Sequence, residues 1–372
     1  MAKSKSNTSR YSHLPAREDI RRILIIKWSA LGDIATASAI FQDVRDAFPD
    51  ALIDLNTLPS YRSLFAHDKR FNQVIAVDVR DRKHRWRCLW DWVSAIKPGK
   101  YDLVVDLQTN DRSRLLLVLL ALTGGRIPYR LGTSRLFPYN IKPRQNLKNT
   151  FRRYQNAIQS GGIAANNPRA VMYYRDENIA NINKLARQYN FYNKSYAILM
   201  PGSSAGGELK RWGSENYAAL GQILHQAGVE KIILVGAQDE QEECSRIEAL
   251  CSDWLINLCN QTSVLDLIPL CEGATYIVTN DTGTGRIGAA SKTPMVMIFG
   301  PTDRERDIPG NPELEALQVS SEELDCVKCF RKQCSHHSCM KMITPEQVFM
   351  VLKSIEAREQ NNARAEPRDN ND

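Results

Sequence analysis

Short runs of aliphatic and β-branched residues, each followed by a stretch with helical spacing, recur along the 372-residue chain. RILIIK (22–27) reads as a buried strand, and the small-residue loop SALGD leads from it into a helix over 34–48 that stops at Pro49. Further strands are predicted over 52–57, 74–77 and 103–107. The pattern restarts at YAILM (196–200), passes through a Gly/Ser loop, and predicts a helix from Ser214. Strands follow over 231–235, 276–279 and 295–299, with helices between. Such alternation implies parallel, doubly wound sheets whose ligands sit at the carboxyl ends of the strands.

Two α/β halves result. The expected organisation is a flexible N-terminal tail over 1–20, a first domain over 21–175 and a linker over 176–195, the halves joining within 165–195 where Asn/Pro-rich sequence and a polar helix intervene. A second domain then spans 196–356, and a disordered tail too polar to bury anything spans 357–372. A chain with 43% hydrophobic and 24% charged residues is neither fibrous, wholly disordered nor a multi-span membrane protein. Its longest apolar run, 115–122, falls short of the roughly 18–20 residues of a bilayer span. The basic N-terminus has no apolar core segment, so a cytoplasmic location is expected. Charge is unevenly spread. Residues 1–175 hold 30 Lys+Arg against 14 Asp+Glu, and the remainder 19 against 28, so the first half calls for an anionic partner.

Five segments carry candidate chemistry. Gly32-Asp33 follows the first strand, where Asp33 reads either as a general base or ligand-orienting carboxylate, or as a helix N-cap. PGSSAGGELKRW (201–212) offers backbone N–H groups, hydroxyls and cations to a phosphate; the other reading is a flexible surface loop. It lacks P-loop spacing. TNDTGTGRIGAA (279–290) ends a strand in Asn280-Asp281, and Ile287–Ala290 is expected to begin a closely packed helix. Two such loops at strand ends point to a nucleotide diphosphate. Cys326, Cys329, Cys334 and Cys339, with His336 and His337 among them, read as a structural zinc or iron site or as reduced packing thiols. Cys88, Cys244, Cys251 and Cys271 stand singly, as reduced core thiols do. Finally, 80–100 is basic and aromatic. Trp86, Leu89, Trp90 and Val93 are predicted on one helical face with Arg82, Lys83, Arg85 and Arg87 around it. That face either rests on an anionic membrane or packs on the sheet with a solvated basic edge.

Taken in order, these segments resemble glycosyltransferase family 9, the lipopolysaccharide heptosyltransferases. ILIIKWSALGDIATASAI resembles the family's first strand and Gly-Asp loop, and LMPGSSAGGELKRWGSENYAAL its donor-phosphate segment. LVGAQDE and TNDTGTGRIGAASKTPMVMIFGPTD resemble the next strand end and the donor-sugar loop, and CVKCFRKQCSHHSCMKMITPEQV has a counterpart in many members. The matches run from about residue 22 to 350. The resemblance implies a GT-B fold, two Rossmann-like domains facing across a cleft, the first taking the acceptor and the second the nucleotide-sugar. It implies inverting transfer of heptose from ADP-heptose to the lipopolysaccharide inner core, with no cofactor required for catalysis. The acceptor is then an anionic lipid-linked saccharide met by the basic first half, at the inner face of the cytoplasmic membrane, with peripheral attachment. Asp33 matches the family's base. Ser203, Ser204 and Lys210 match donor-phosphate contacts, Lys210 also neutralising the leaving diphosphate in place of a metal. Asp281, Thr282 and Gly283 match donor contacts. Two positions depart from the family: Arg286 stands where a histidine is common, and Ala39 where a proline is usual. Arginine clamps phosphate but shuttles no proton. The rival readings are a member using another nucleotide-sugar and a non-catalytic nucleotide- or carbohydrate-binding relative. No nucleic-acid motif accompanies the basic half, so no nucleic-acid partner is expected.

Overall fold

The computed structural model describes residues 13–365 other than 82, 204 and 205. The chain divides into two compact units, Met1–Tyr173 and Tyr174–Asp372. The first contains β1 (Arg22–Ile26), α1 (Leu31–Ala47), β2 (Leu52–Thr57), α2 (Arg62–Phe65) and β3 (Gln73–Ala76). It continues through α3 (Arg85–Ile96), β4 (Leu103–Asp106), α4 (Asp111–Leu122), β5 (Tyr129–Gly132) and α5 (Thr150–Gln159). All five strands are parallel, in the order β3-β2-β1-β4-β5. The chain therefore steps outward from β1 to β3, then returns past β1 to β4 and β5. Right-handed crossovers put α1 on one face of such a sheet and α3 with α4 on the other. The packing agrees, α1 lying against α5 and α3 against α4.

On the α3/α4 face the core holds Trp28, Trp92, Val104, Leu116 and Leu120, all buried. A polar side chain at depth there is satisfied: the Asn56 carboxamide oxygen accepts from both indoles, Trp28 Nε1 at 2.8 Å and Trp92 Nε1 at 2.7 Å, while Nδ2 donates to the Ile75 carbonyl at 2.9 Å.

The second unit runs α6 (Asp176–Gln188), β6 (Tyr196–Met200), α7 (Ser214–Gln226), β7 (Lys231–Leu234), α8 (Gln241–Ala249), β8 (Leu255–Asn257), α9 (Leu267–Glu272) and β9 (Tyr276–Asn280). It closes with α10 (Gly283–Gly288), β10 (Met295–Ile298), α11 (Arg304–Asp307), β11 (Leu314–Leu317), α12 (Ser338–Lys341) and α13 (Pro345–Ala365). Six parallel strands lie in the order β11-β10-β9-β6-β7-β8. The expected pair of doubly wound parallel sheets is thus present.

Several details differ from the sequence expectations. Leu14, inside the expected tail, is fully buried and donates its N–H to the Gly161 carbonyl at 2.9 Å, so order begins before residue 20. The expected linker is α6, whose Ile182 and Ala186 are buried and whose Asn178 Nδ2 donates to Asp266 at 2.7 Å. Part of the expected C-terminal tail extends α13 to Ala365, because alternating Glu, Arg, Gln and Ala favour helix even where nothing is buried. Residues 1–12 and 366–372 lie outside the described part. Sequence reading missed β5, β8 and β11. All three are edge strands of three or four residues in which Arg130, Asn257 and Glu315 interrupt the apolar run, so no continuous signal marks them. No helix among the described residues is long and apolar enough to cross a membrane.

Candidate functional site

In the first unit, the carboxyl ends of β1 and β4 support a loop leading into α1. The Gln108 side-chain oxygen accepts the backbone N–H groups of Trp28 (3.0 Å) and Ser29 (3.3 Å), fixing that loop. Lys27 is buried, with Nζ donating to the Ser29 carbonyl at 2.9 Å and lying 5.5 Å over the Tyr154 ring. Arg80 hydrogen-bonds the Ser29 hydroxyl. Ala30 is the N-cap of α1, in extended conformation, so the N-cap reading of Asp33 is corrected: Asp33 is the third helical residue, half-buried in the first turn. A carboxylate there lies in the favourable field of the free N–H groups at the helix start. Ala39, the proline replacement, is a fully buried residue of α1, where a proline would remove an intrahelical hydrogen bond.

In the second unit the chemistry gathers where β6 and β9, neighbours in the sheet, end. Asn280 joins the two ends. Its Nδ2 donates to the carbonyls of Pro201 (2.6 Å) and Gly202 (3.0 Å), and its Oδ1 accepts from Trp212 N–H (3.2 Å) and Tyr217 O–H (3.0 Å). Glycine at 202 leaves room for the Glu240 carboxyl, since a Cβ there would lie 2.0 Å from it, and that carboxyl is itself held by the Ala237 N–H at 2.7 Å. The frame so fixed carries a buried carboxylate between two cations. Lys210 Nζ lies 2.9 Å from Asp281 Oδ2, Arg286 NH2 lies 3.3 Å from Oδ1, and the Thr302 hydroxyl donates to Oδ2 at 3.0 Å. Burial would raise the Asp281 pKa, but Arg286 and Lys210 together outweigh it and hold the carboxyl below its ordinary range.

The remaining expected donor residues lie around this cluster. Thr282 caps α10, its hydroxyl oxygen accepting the Gly285 N–H at 3.0 Å, and Gly283 is the first helical residue. That helix starts at Gly283 and ends at Gly288, so the expected start near Ile287 is corrected; the threonine cap decides the boundary. Ser203 is buried, and its hydroxyl accepts from Arg211 Nε at 3.2 Å. Ser204 lies outside the described residues. Sequence reading overlooked Asn280 and Thr302 as site residues. Their signal was the motif context, TND at one strand end and PTD after the next strand.

Burial pushes the Cys339 thiol up, and Cys329, Cys326 and Cys334 lie near enough to add to that shift. Among the described residues no group of three or more His, Cys, Asp or Glu side chains is placed to hold a metal ion. Cys339 turns into the core beside Met340, whereas the Cys334 sulfur accepts the His337 N–H at 3.3 Å and Cys326 Sγ lies 3.9 Å from His336 Nε2. His337 Nε2 donates to the Leu209 carbonyl at 2.7 Å, tying this segment to the turn that carries Lys210. All nine cysteines are free, as expected of core thiols at Cys88, Cys244 and Cys271; Cys251 is only half-buried.

The profile of glycosyltransferase family 9 (heptosyltransferase) matches residues 90–340, more than half of the chain. A lipooligosaccharide heptosyltransferase 2 of Campylobacter jejuni is 32% identical over 163 residues, covering 42% of this chain and 50% of its own. The alignment thus spans about half the length of that relative. Among solved structures, a family 9 glycosyltransferase from Veillonella parvula superposes with a TM-score of 0.76 at 18% identity, covering 94% of this chain and 99% of its own. The E. coli ADP-heptose lipopolysaccharide heptosyltransferase II superposes with a TM-score of 0.68 at 22% identity, covering 91% and 99%. Both likenesses concern the fold. With a profile match of that extent and the strand-end motifs in family order, the chain belongs to glycosyltransferase family 9, the heptosyltransferases.

Proposed function

We propose that the protein transfers heptose from ADP-heptose to the inner core of lipopolysaccharide, with inversion and without a catalytic metal. The acceptor hydroxyl oxygen bonds to the anomeric carbon as the bond from that carbon to the diphosphate breaks, through an oxocarbenium-like state. Asp33 accepts the hydroxyl proton. The electron pair leaves on the ADP β-phosphate, and Lys210 neutralises the charge that grows there. Ser203, Ser204, Thr282, Gly283 and Arg286 complete the donor contacts. On this reading the protein works in the cytoplasm, against the inner face of the membrane that carries its acceptor.

The observation that carries the proposal is the Lys210–Asp281–Arg286 cluster at the ends of β6 and β9 in a family 9 chain. One carboxylate between two cations leaves a net positive charge and holds both cations ready for a diphosphate. Arg286 stays charged throughout, which suits phosphate binding and excludes a proton-shuttling role.

The test is transfer to heptose-free lipopolysaccharide, followed by mass spectrometry in the presence of EDTA. The wild type is expected to turn over ADP-heptose. Asp33→Asn should lose about 10²–10⁴ of the rate, and Lys210→Met about 10²–10³. Full activity of Asp33→Asn would remove it as the base. Transfer only from a UDP- or GDP-sugar would overturn the donor, and ADP binding with no transfer from any donor would make the chain a non-catalytic relative.

A further inference from the structure

Residues 115–122 of α4, LLLVLLAL, contain no polar side chain. Leu116, Leu117 and Leu120 are buried in the core beneath. Leu115, Val118 and Leu122, spaced i, i+3 and i+7, form a second apolar stripe on the outer side, with Leu115 and Leu122 exposed, while Leu119 is half-buried against the core. A helix that is apolar all round has apolar surroundings all round, and here the protein supplies only one side.

The neighbouring elements extend this surface. On α3, the expected single apolar face is divided: Val93 is buried with Trp92 and Ile96, while Trp86 (78% exposed) and Trp90 (58%) stand one turn apart in solvent. The loop after β5 adds Leu136 and Phe137 (74% exposed). A groove of about 250 Å³ lined by Leu89 and Leu115 joins α3 to α4, and one of about 300 Å³ lined by Leu122 and Phe137 joins α4 to the loop. An exposed apolar surface spread over three adjoining elements marks an interaction face. Its surroundings are cationic. Residues 80–138 hold 12 Lys+Arg against 5 Asp+Glu, and Lys83, Arg87, Arg126 and Arg135 are exposed. The acids at its border are engaged, Asp81 with His84, Asp91 with Arg87 and Asp111 with Arg114. Arg82 and the Arg85 side chain lie outside the described residues.

We propose that this face docks on a bilayer containing anionic phospholipid. Trp86, Trp90, Leu115, Leu122 and Phe137 enter the boundary between headgroups and acyl chains, and the basic side chains meet the headgroups. Tryptophan suits that boundary because its ring is apolar with one polar N–H. The excess of Lys+Arg over Asp+Glu around the face argues for an anionic lipid surface, whose negative potential attracts such a rim. A handful of inserted side chains binds weakly alone, so insertion and charge are both required.

The proposal is independent of the sugar transfer, because vesicle binding is measured without donor or acceptor. The full chain is floated with phosphatidylcholine vesicles, with or without about 30% phosphatidylglycerol. Binding is expected only to the anionic vesicles and should weaken as salt rises. Trp86→Ser with Trp90→Ser, and separately Leu122→Glu with Phe137→Glu, should each lower the partition coefficient at least about tenfold. Melting temperature and the thermal shift given by ADP should stay unchanged. Absence of wild-type binding, or equal binding by wild type and both variants, would overturn the proposal. So would variants that convert a dimer to a monomer while vesicle binding persists, which would assign the face to a second copy of the chain.

Discussion

Asp281 shows how single residues set the properties of the donor-side site. Its folded-state pKa lies below the ordinary 3.8. A carboxylate of that kind adds stability that is fully present above the unfolded-state value and is lost as pH falls through the folded one. Asp281→Asn leaves Lys210 and Arg286 facing each other with no anion between them. Breaking such a pair costs about 3–5 kcal/mol, so the variant should melt at least about 5 °C lower at pH 7. The gap should close below about pH 4, as the wild type loses its own charge at this position. Parallel melting curves for the two proteins across that range would refute the account. The sequence made Lys210 and Asp281 legible separately, through two loops 71 positions apart. Their pairing was not legible, because it depends on β6 and β9 being neighbours. Asp33 was also legible, but its place in the first turn was not, since the unusual cap Ala30 carries no capping side chain.

At the scale of elements, the strand-end turns are shaped by close packing. Gly202 meets the Glu240 carboxyl so closely that Gly202→Ala must displace it, at a cost of about 1–3 kcal/mol. Glu240→Ala loses the hydrogen bond from Ala237 N–H, yet it frees the space that an alanine at 202 needs. The double variant should therefore be more stable than the sum of the single effects, as read by denaturant unfolding; simple additivity would sink the packing argument. Interior strands were readable because they are buried on both faces and so are continuously apolar. Sequence placed the start of α7 at Ser214 because Ser214-Glu215 is a strong start signal. The split face of α3 was not readable, because Trp86 and Trp90 keep helical spacing with buried residues while facing water. An apolar side chain reports its spacing, and only the fold reports its surroundings.

Across the whole chain, the doubly wound class was legible from alternation alone, whereas its outer limits were not. Leu14 is buried within a polar segment, where a single apolar anchor gives little signal, and the polar helix of the joining stretch is α6, whose packing through Ile182 and Ala186 the sequence did not show. The second unit has its own six-stranded sheet and a core from Ala197 to Ile355. Residues 174–372 expressed alone should thus unfold cooperatively on heating; a broad, non-cooperative melt would show that the unit depends on the rest of the chain. The four edge strands, β3, β5, β8 and β11, have three or four residues each, no longer than the interior strands β4, β7 and β10 and shorter than the five or six of β1, β2, β6 and β9. Every open sheet leaves a row of unpaired amides along each border, an invitation to pair with another chain. Borders this short offer a visiting strand only a few hydrogen bonds, too few to offset the entropy lost on docking. The brevity of these borders therefore works against neighbouring copies polymerising edge to edge.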